Sequence, residues 1–188
     1  GELRVVIGPR SALFAPLSAL ATVVLSLSME ELTAKSPLVV RGTVHRVDTQ
    51  WDEGHHGIWT TSEIVVREVL KGTPRTTVLV KQPGGTVGTF SQRVSGVATF
   101  TPGEDVVLFL EPAVDVPDAF VPYSMSAAKV SLVQKGGQTV ALRDLSGLSF
   151  AVPGQKGVIR PVDERETLGV ADAFLDRVRL AVKKGGAR

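Results

Sequence analysis

At 188 residues, 43% hydrophobic and 21% charged, the chain is long enough for one well-buried core with terminal additions. Its 21 basic and 19 acidic residues leave a net charge of +2, which argues against an electrostatic nucleic-acid binder. Cysteine is absent, which excludes disulfides, thiolate metal sites and a cysteine nucleophile.

The N-terminus carries Arg4 and Arg10 ahead of an apolar run of small residues, SALFAPLSALA at 11–21. Ala19-Leu20-Ala21 has the small-x-small form of a signal-peptidase site, so residues 1–21 read as a secretory signal or an added remnant, with the mature chain starting near Thr22. The other reading of this run is a short buried strand or helix. It is too short to span a membrane as a helix, and no later stretch reaches the required length.

Ser28-Met29-Glu30-Glu31 fits a capping box, and Ser36-Pro37 stops a helix, so a short helix is expected over 29–35. LVVRGTVHRV at 38–47 follows as a strand, with Val40, Gly42 and Val44 on one face and Arg41, Thr43 and His45 on the other. Gly42 inside it predicts a bulge or sharp bend. A polar tip, DEGHHG at 52–57, leads to a second strand at 58–70 and a third at 76–82. After Pro83-Gly84-Gly85 comes a patternless stretch, 86–102, expected to be a long loop. DVVLFLE at 105–111 reads as a central strand, apolar on both faces.

Weaker strands are expected at 129–133 and 139–143 around a Gly136-Gly137 hairpin. DLSGLSF at 144–150 and residues 153–157 read as loop. The C-terminus reads as a helix entered through a capping box at Asp163 and Glu166. Its apolar stripe is Leu168, Ala171, Leu175, Val178 and Val182, with Lys183 and Lys184 at the end and Gly185 as the stop. The fold class is therefore mainly β: a five- to six-stranded OB-like barrel over 22–160, with a short N-terminal helix and an amphipathic helix over 161–188 packed on it.

In order and spacing, SPLVVRGTVHRV, IVVREVLKG and PGEDVVLFL are similar to netrin-like domains, the group that includes the tissue inhibitors of metalloproteinases. This resemblance covers roughly 36–111 and implies a five-stranded OB-like barrel with a flanking C-terminal helix. The chain also resembles a group of uncharacterised exported bacterial proteins over most of its length. The shared motifs fall at 27–32, 39–44, 51–53, 68–72, 82–85, 102–110 and 144–148. That group has no established activity, so the likeness implies fold and export rather than mechanism. The inhibitors place an N-terminal cysteine on their target's zinc, and this chain has none.

His55 and His56 beside Asp52 and Glu53, with His45 one strand away, are the only grouping of metal-ligand types, and they open the alternative of a small metal-dependent hydrolase. No G-x-S-x-G elbow supports a serine triad. QPGGTVG lacks the Lys-Ser/Thr and helix of a phosphate loop, so Gly84 and Gly85 are read as shaping a turn. Trp51 and Trp59 flank the tip, and Arg41, Arg46 and Arg67 lie on nearby strands, as in stacking nucleic-acid binders, but export removes most such targets. No catalytic residue and no cofactor are assigned. The expectation is an exported, periplasmic or extracellular, non-enzymatic module that binds a protein or other macromolecule, with no nucleic acid and no transmembrane segment. The binding residues would be Trp51, Asp52, His55, His56, Trp59, Gln82, Gly84, Gly85, Gln92 and Arg93. A third possibility is a structural module of the cell envelope that uses its C-terminal helix.

Overall fold

The computed structural model describes residues 22–114, 116–151, 159–162 and 164–185. The expected signal at 1–21, the loop at 153–157 and Asp163 lie outside these residues. In chain order the elements are β1 (Thr22–Leu25), α1 (Met29–Lys35), β2 (Leu38–Trp51), β3 (Ile58–Lys71), β4 (Thr77–Pro83), β5 (Gly85–Val87), β6 (Phe90–Gln92), β7 (Asp105–Pro112) and β8 (Ala119–Pro122). A 3-10 turn, Met125–Ala128, precedes β9 (Lys129–Lys135), β10 (Gln138–Asp144), β11 (Leu148–Ala151), β12 (Ile159–Val162), β13 (Arg165–Val170) and α2 (Ala171–Gly185). The chain is mainly β. Neither helix is long and apolar enough to cross a membrane.

Five strands form a ring of hydrogen-bonded pairs. β2 pairs with β3, β3 with β4, β4 with β8, β8 with β7, and β7 with β2. All are antiparallel except β4–β8, which is parallel and spans only Leu79↔Ala119 and Val80↔Phe120. The free edge of β7 is divided. Residues 110–112 pair with β8, while 105–108 pair with β9, and the sheet continues outward through β10 to β13.

This division explains the unbroken apolar run in β7. Val106, Leu108 and Leu110 face the inside of the ring with Val40, Val44, Ile64, Val78 and Val80. Val107 and Phe109 face outward into a second core with Val39, Met29, Leu32, Phe174, Leu175 and Val178. A strand buried on both faces has no polar side to alternate with. Gly42 stands where β3 leaves no room for a side chain on β2: a Cβ there would lie 2.5 Å from the Val65 carbonyl oxygen, and the register shifts beside it. Of the expected bulge or bend, the bulge is present as this register shift.

Helix α1 begins and ends as expected. Ser28 Oγ accepts from Glu31 N at 3.2 Å, and a Glu31 carboxylate oxygen accepts from Ser28 N at 2.9 Å. Lys71 Nζ donates to the carbonyls of Thr33 and Ala34, both at 2.8 Å, closing the helix C-terminus. The two helices are linked by Arg177, whose guanidinium donates to both Glu30 carboxylate oxygens at 2.6 and 2.9 Å. That contact holds the Glu30 carboxyl below its ordinary range.

Four sequence expectations change. The stretch 86–102 contains the β5–β6 hairpin, because Thr86 and Val87 turn at Gly88 to pair with Phe90 and Ser91. Residues 148–151 form β11, which pairs with β1 in parallel and β12 antiparallel, and short strands of this kind depend on distant partners. Glu166 does not cap a helix: it lies in β13, where Arg143 Nε donates to it at 2.9 Å, and α2 starts at Ala171. Leu168 is therefore on a strand, although it still packs against the same outer core. Strand β8, which completes the ring, was not anticipated.

Candidate functional site

Strands β2 and β3 are each 14 residues long, but β7 pairs with β2 only over 38–43. Beyond Val44 the hairpin runs on past β7 as an arm, with β4 paired along its β3 side as far as Trp59. Along the inward face of the strands, Val40, Val44 and Ile64 give way to Thr49, Thr60 and Trp51. The β5–β6 hairpin covers this polar part. Thr60 Oγ1 donates to Gly84 O at 2.6 Å and lies 3.2 Å from Thr49 Oγ1, while Gly84 N donates to Ile58 O at 2.7 Å. Gly85 has a φ of +135° and sits directly on the threonines: a Cβ there would stand 2.4 Å from Thr49 Cγ2 and 2.6 Å from Thr60 Oγ1. Only glycine fits both the space and the backbone angle.

The tip is ordered by Asp52. Its backbone N donates to Gly57 O at 2.9 Å and its carbonyl accepts from His55 N at 3.0 Å. Its side chain accepts from His56 N at 2.7 Å. His55 takes a φ of 54°, uncommon outside glycine, and this brings its ring over Trp51, with centroids 5.9 Å apart and planes at 24°. From the other hairpin Phe90 meets Trp51 edge-on, 5.7 Å between centroids. Gln92 ties the two hairpins together, its Oε1 accepting from Ile58 N at 2.6 Å.

The structure thus brings Trp51, Asp52, His55 and Gln92 to one end of the molecule, with Gly84 and Gly85 seating the hairpin that supplies Gln92. The other expected residues are placed differently. Trp59 is cross-strand from Gln50 while Trp51 is cross-strand from Ile58, so the two tryptophans occupy opposite faces of the arm. Lys81 Nζ lies over the Trp59 ring, 5.1 Å from its centroid. Gln82 is 5% exposed, and its carboxamide donates to Ala98 O at 3.0 Å and accepts from Ala98 N at 3.2 Å, anchoring the chain beyond the hairpin. Glu53, His56 and Arg93 are exposed around the tip.

Phe90, 63% exposed, is the residue missed by sequence reasoning. An aromatic side chain inside a glycine-rich polar stretch was the available signal. His45 is exposed on β2, and among the described residues no group of three His, Asp or Glu side chains could hold a metal ion. The set His45, Asp52, His55 and His56 is not assembled as a metal centre. The C-terminal helix is not a free docking arm either: Ala171, Phe174, Leu175 and Val178 are buried in the outer core. Compared with known proteins, the chain matches no family model, and no curated protein is significantly similar to it.

Proposed function

We propose that this chain is an exported, non-enzymatic module of OB-like, netrin-like architecture that binds a protein or other macromolecule through the tip of the β2–β3 arm. The observation that carries the reading is the meeting of two separate hairpins on one aromatic cluster: Trp51 contacts both His55 and Phe90. Rigid aromatic side chains held on paired strands lose little conformational entropy on binding, which makes them effective anchors. The ring of five strands, with β8 returning between β4 and β7, supports an OB-like barrel, and in such barrels the connecting loops carry recognition. Export rests on the apolar, small-residue pattern at 11–21.

The test compares the parent chain with a Trp51→Ala/Phe90→Ala double variant, both immobilised and exposed to envelope extract. Saturable capture of a defined component by the parent, lost in the folded double variant, is the expected result. Equal capture by both sinks the proposed surface.

A further inference from the structure

Phe90 projects from one hairpin and His55 from the other, with Trp51 half-buried between them. His55 stacks on Trp51 while Phe90 stands edge-on to it and 63% exposed, which leaves the Phe90 ring for a flat, semi-rigid ligand that offers one apolar face.

The chemistry around this aromatic array narrows the class. Asp52 and Glu53 lie in the tip and Arg93 follows Gln92 in the chain, so both signs of charge occur there, not the single-sign field that attracts nucleic acid or an anionic lipid surface. Polar groups nevertheless surround the rings. Gln92 commits its oxygen to Ile58 and keeps its amide nitrogen, and Thr86 and Ser91 hold their hydroxyls 3.2 Å apart on the hairpin beside Phe90. Glu53, His56 and Arg93 add exposed donors and acceptors. The surface is also small: the tip at 52–57 and the β5–β6 hairpin, whereas a stable protein interface takes about 20–30 residues from each side.

We propose that the arm tip binds a neutral glycan chain. A pyranose ring has an apolar C–H face that stacks on an aromatic ring and equatorial hydroxyls that need amide, hydroxyl and carboxylate partners. Those two requirements are met side by side at Phe90, Trp51, His55 and the groups flanking them. The proposal rests on the binding edge of the preceding section and assigns its ligand class.

The chain has two tryptophans, Trp51 and Trp59, so a Trp59→Phe background leaves Trp51 as the sole indole reporter, inside the array. Purified protein in that background is titrated with chitohexaose, cellohexaose and maltohexaose while tryptophan emission is followed. At least one hexasaccharide is expected to change emission saturably, to the same extent at low and high salt. Phe90→Ala, which removes a largely exposed ring, weakens that association about tenfold or more, and Phe90→Tyr restores it. The proposal fails if no hexasaccharide changes the emission, or if Phe90→Ala titrates like the parent. It fails equally if anionic vesicles or single-stranded DNA change the emission and the sugars do not. Should the sugars fail while the Trp51→Ala/Phe90→Ala variant still loses capture of an envelope component, the binding edge stands and only the ligand class falls.

Discussion

The two ends of the β2–β3 hairpin are held by different physics. At the ring end, Val40, Val44 and Ile64 are at most 1% exposed and pack on the apolar side chains of β4 and β7. At the arm end the same face carries Thr49 and Thr60 beside Trp51 and a buried Ile58, and the cover is a short hairpin fixed by hydrogen bonds and a glycine contact. Apolar packing there would have stabilised the arm more, but it would have left no half-exposed aromatic side chain or free polar group at the tip. The arm accepts weaker local packing and keeps an exposed aromatic and polar surface at its tip.

The largest effect should come from the ring side. Phe174 is 1% exposed in the outer core, so Phe174→Ala should destabilise the protein by about 3–5 kcal/mol in denaturant unfolding. Ending the chain after Val170 should leave no cooperatively folded protein. A folded, soluble truncation would show that α2 is an appendage and revive the envelope-scaffold reading.

Gly85→Ala comes next. The new Cβ would strike both threonines, and the residue would be held at positive φ, for a loss of about 1–3 kcal/mol. Hydrogen exchange should accelerate at 84–92 while β7 and β9 stay protected; uniform acceleration would mean that arm and ring unfold together. Gln92→Ala removes the acceptor of Ile58 N and should cost about 0.5–1.5 kcal/mol, with faster exchange at Ile58.

The smallest effect is electrostatic. Arg177 lowers the Glu30 carboxyl below its ordinary 4.5, so the contact contributes fully above that pH and is lost as pH falls through the folded value. Both side chains are about half exposed, which limits the contribution to under about 1 kcal/mol. Arg177→Ala should flatten this part of the acid limb of stability and leave the arm's exchange pattern unchanged.

Local signals in the chain were enough for several elements. The Ser28 and Glu31 pair marked α1, Gly42 marked the bulge, and Gly136-Gly137 marked the β9–β10 turn. For α1 and the β9–β10 turn the residues that carry the signal make the structure with near neighbours, whereas Gly42 acts against Val65 of the next strand. Glu166 shows the opposite: three residues after an aspartate it has capping-box spacing, yet its partner is Arg143 on a neighbouring strand. Strands β8 and β11 have no periodicity long enough to announce them, and each pairs with a segment far along the chain, β4 and β1. Of the candidate site, Trp51, Asp52, His55 and Gln92 were legible as unusual residues near turns. That Gln82 would be a buried anchor, and Trp59 would lie on the opposite face of the hairpin from Trp51, depended on register.

What the sequence determined by itself is the inventory: a mainly β chain, two helices, a long hairpin with an aromatic and histidine-bearing tip, and a central strand apolar on both faces. These follow from turn chemistry, capping and hydrophobic periodicity, which act over a few residues. Tertiary structure decided the ring closure by β8, the division of β7 between two cores, and the folding of the β5–β6 hairpin onto the arm so that Phe90 reaches Trp51. Those are long-range pairings, chosen by which surfaces can be buried together and which backbone groups must find partners.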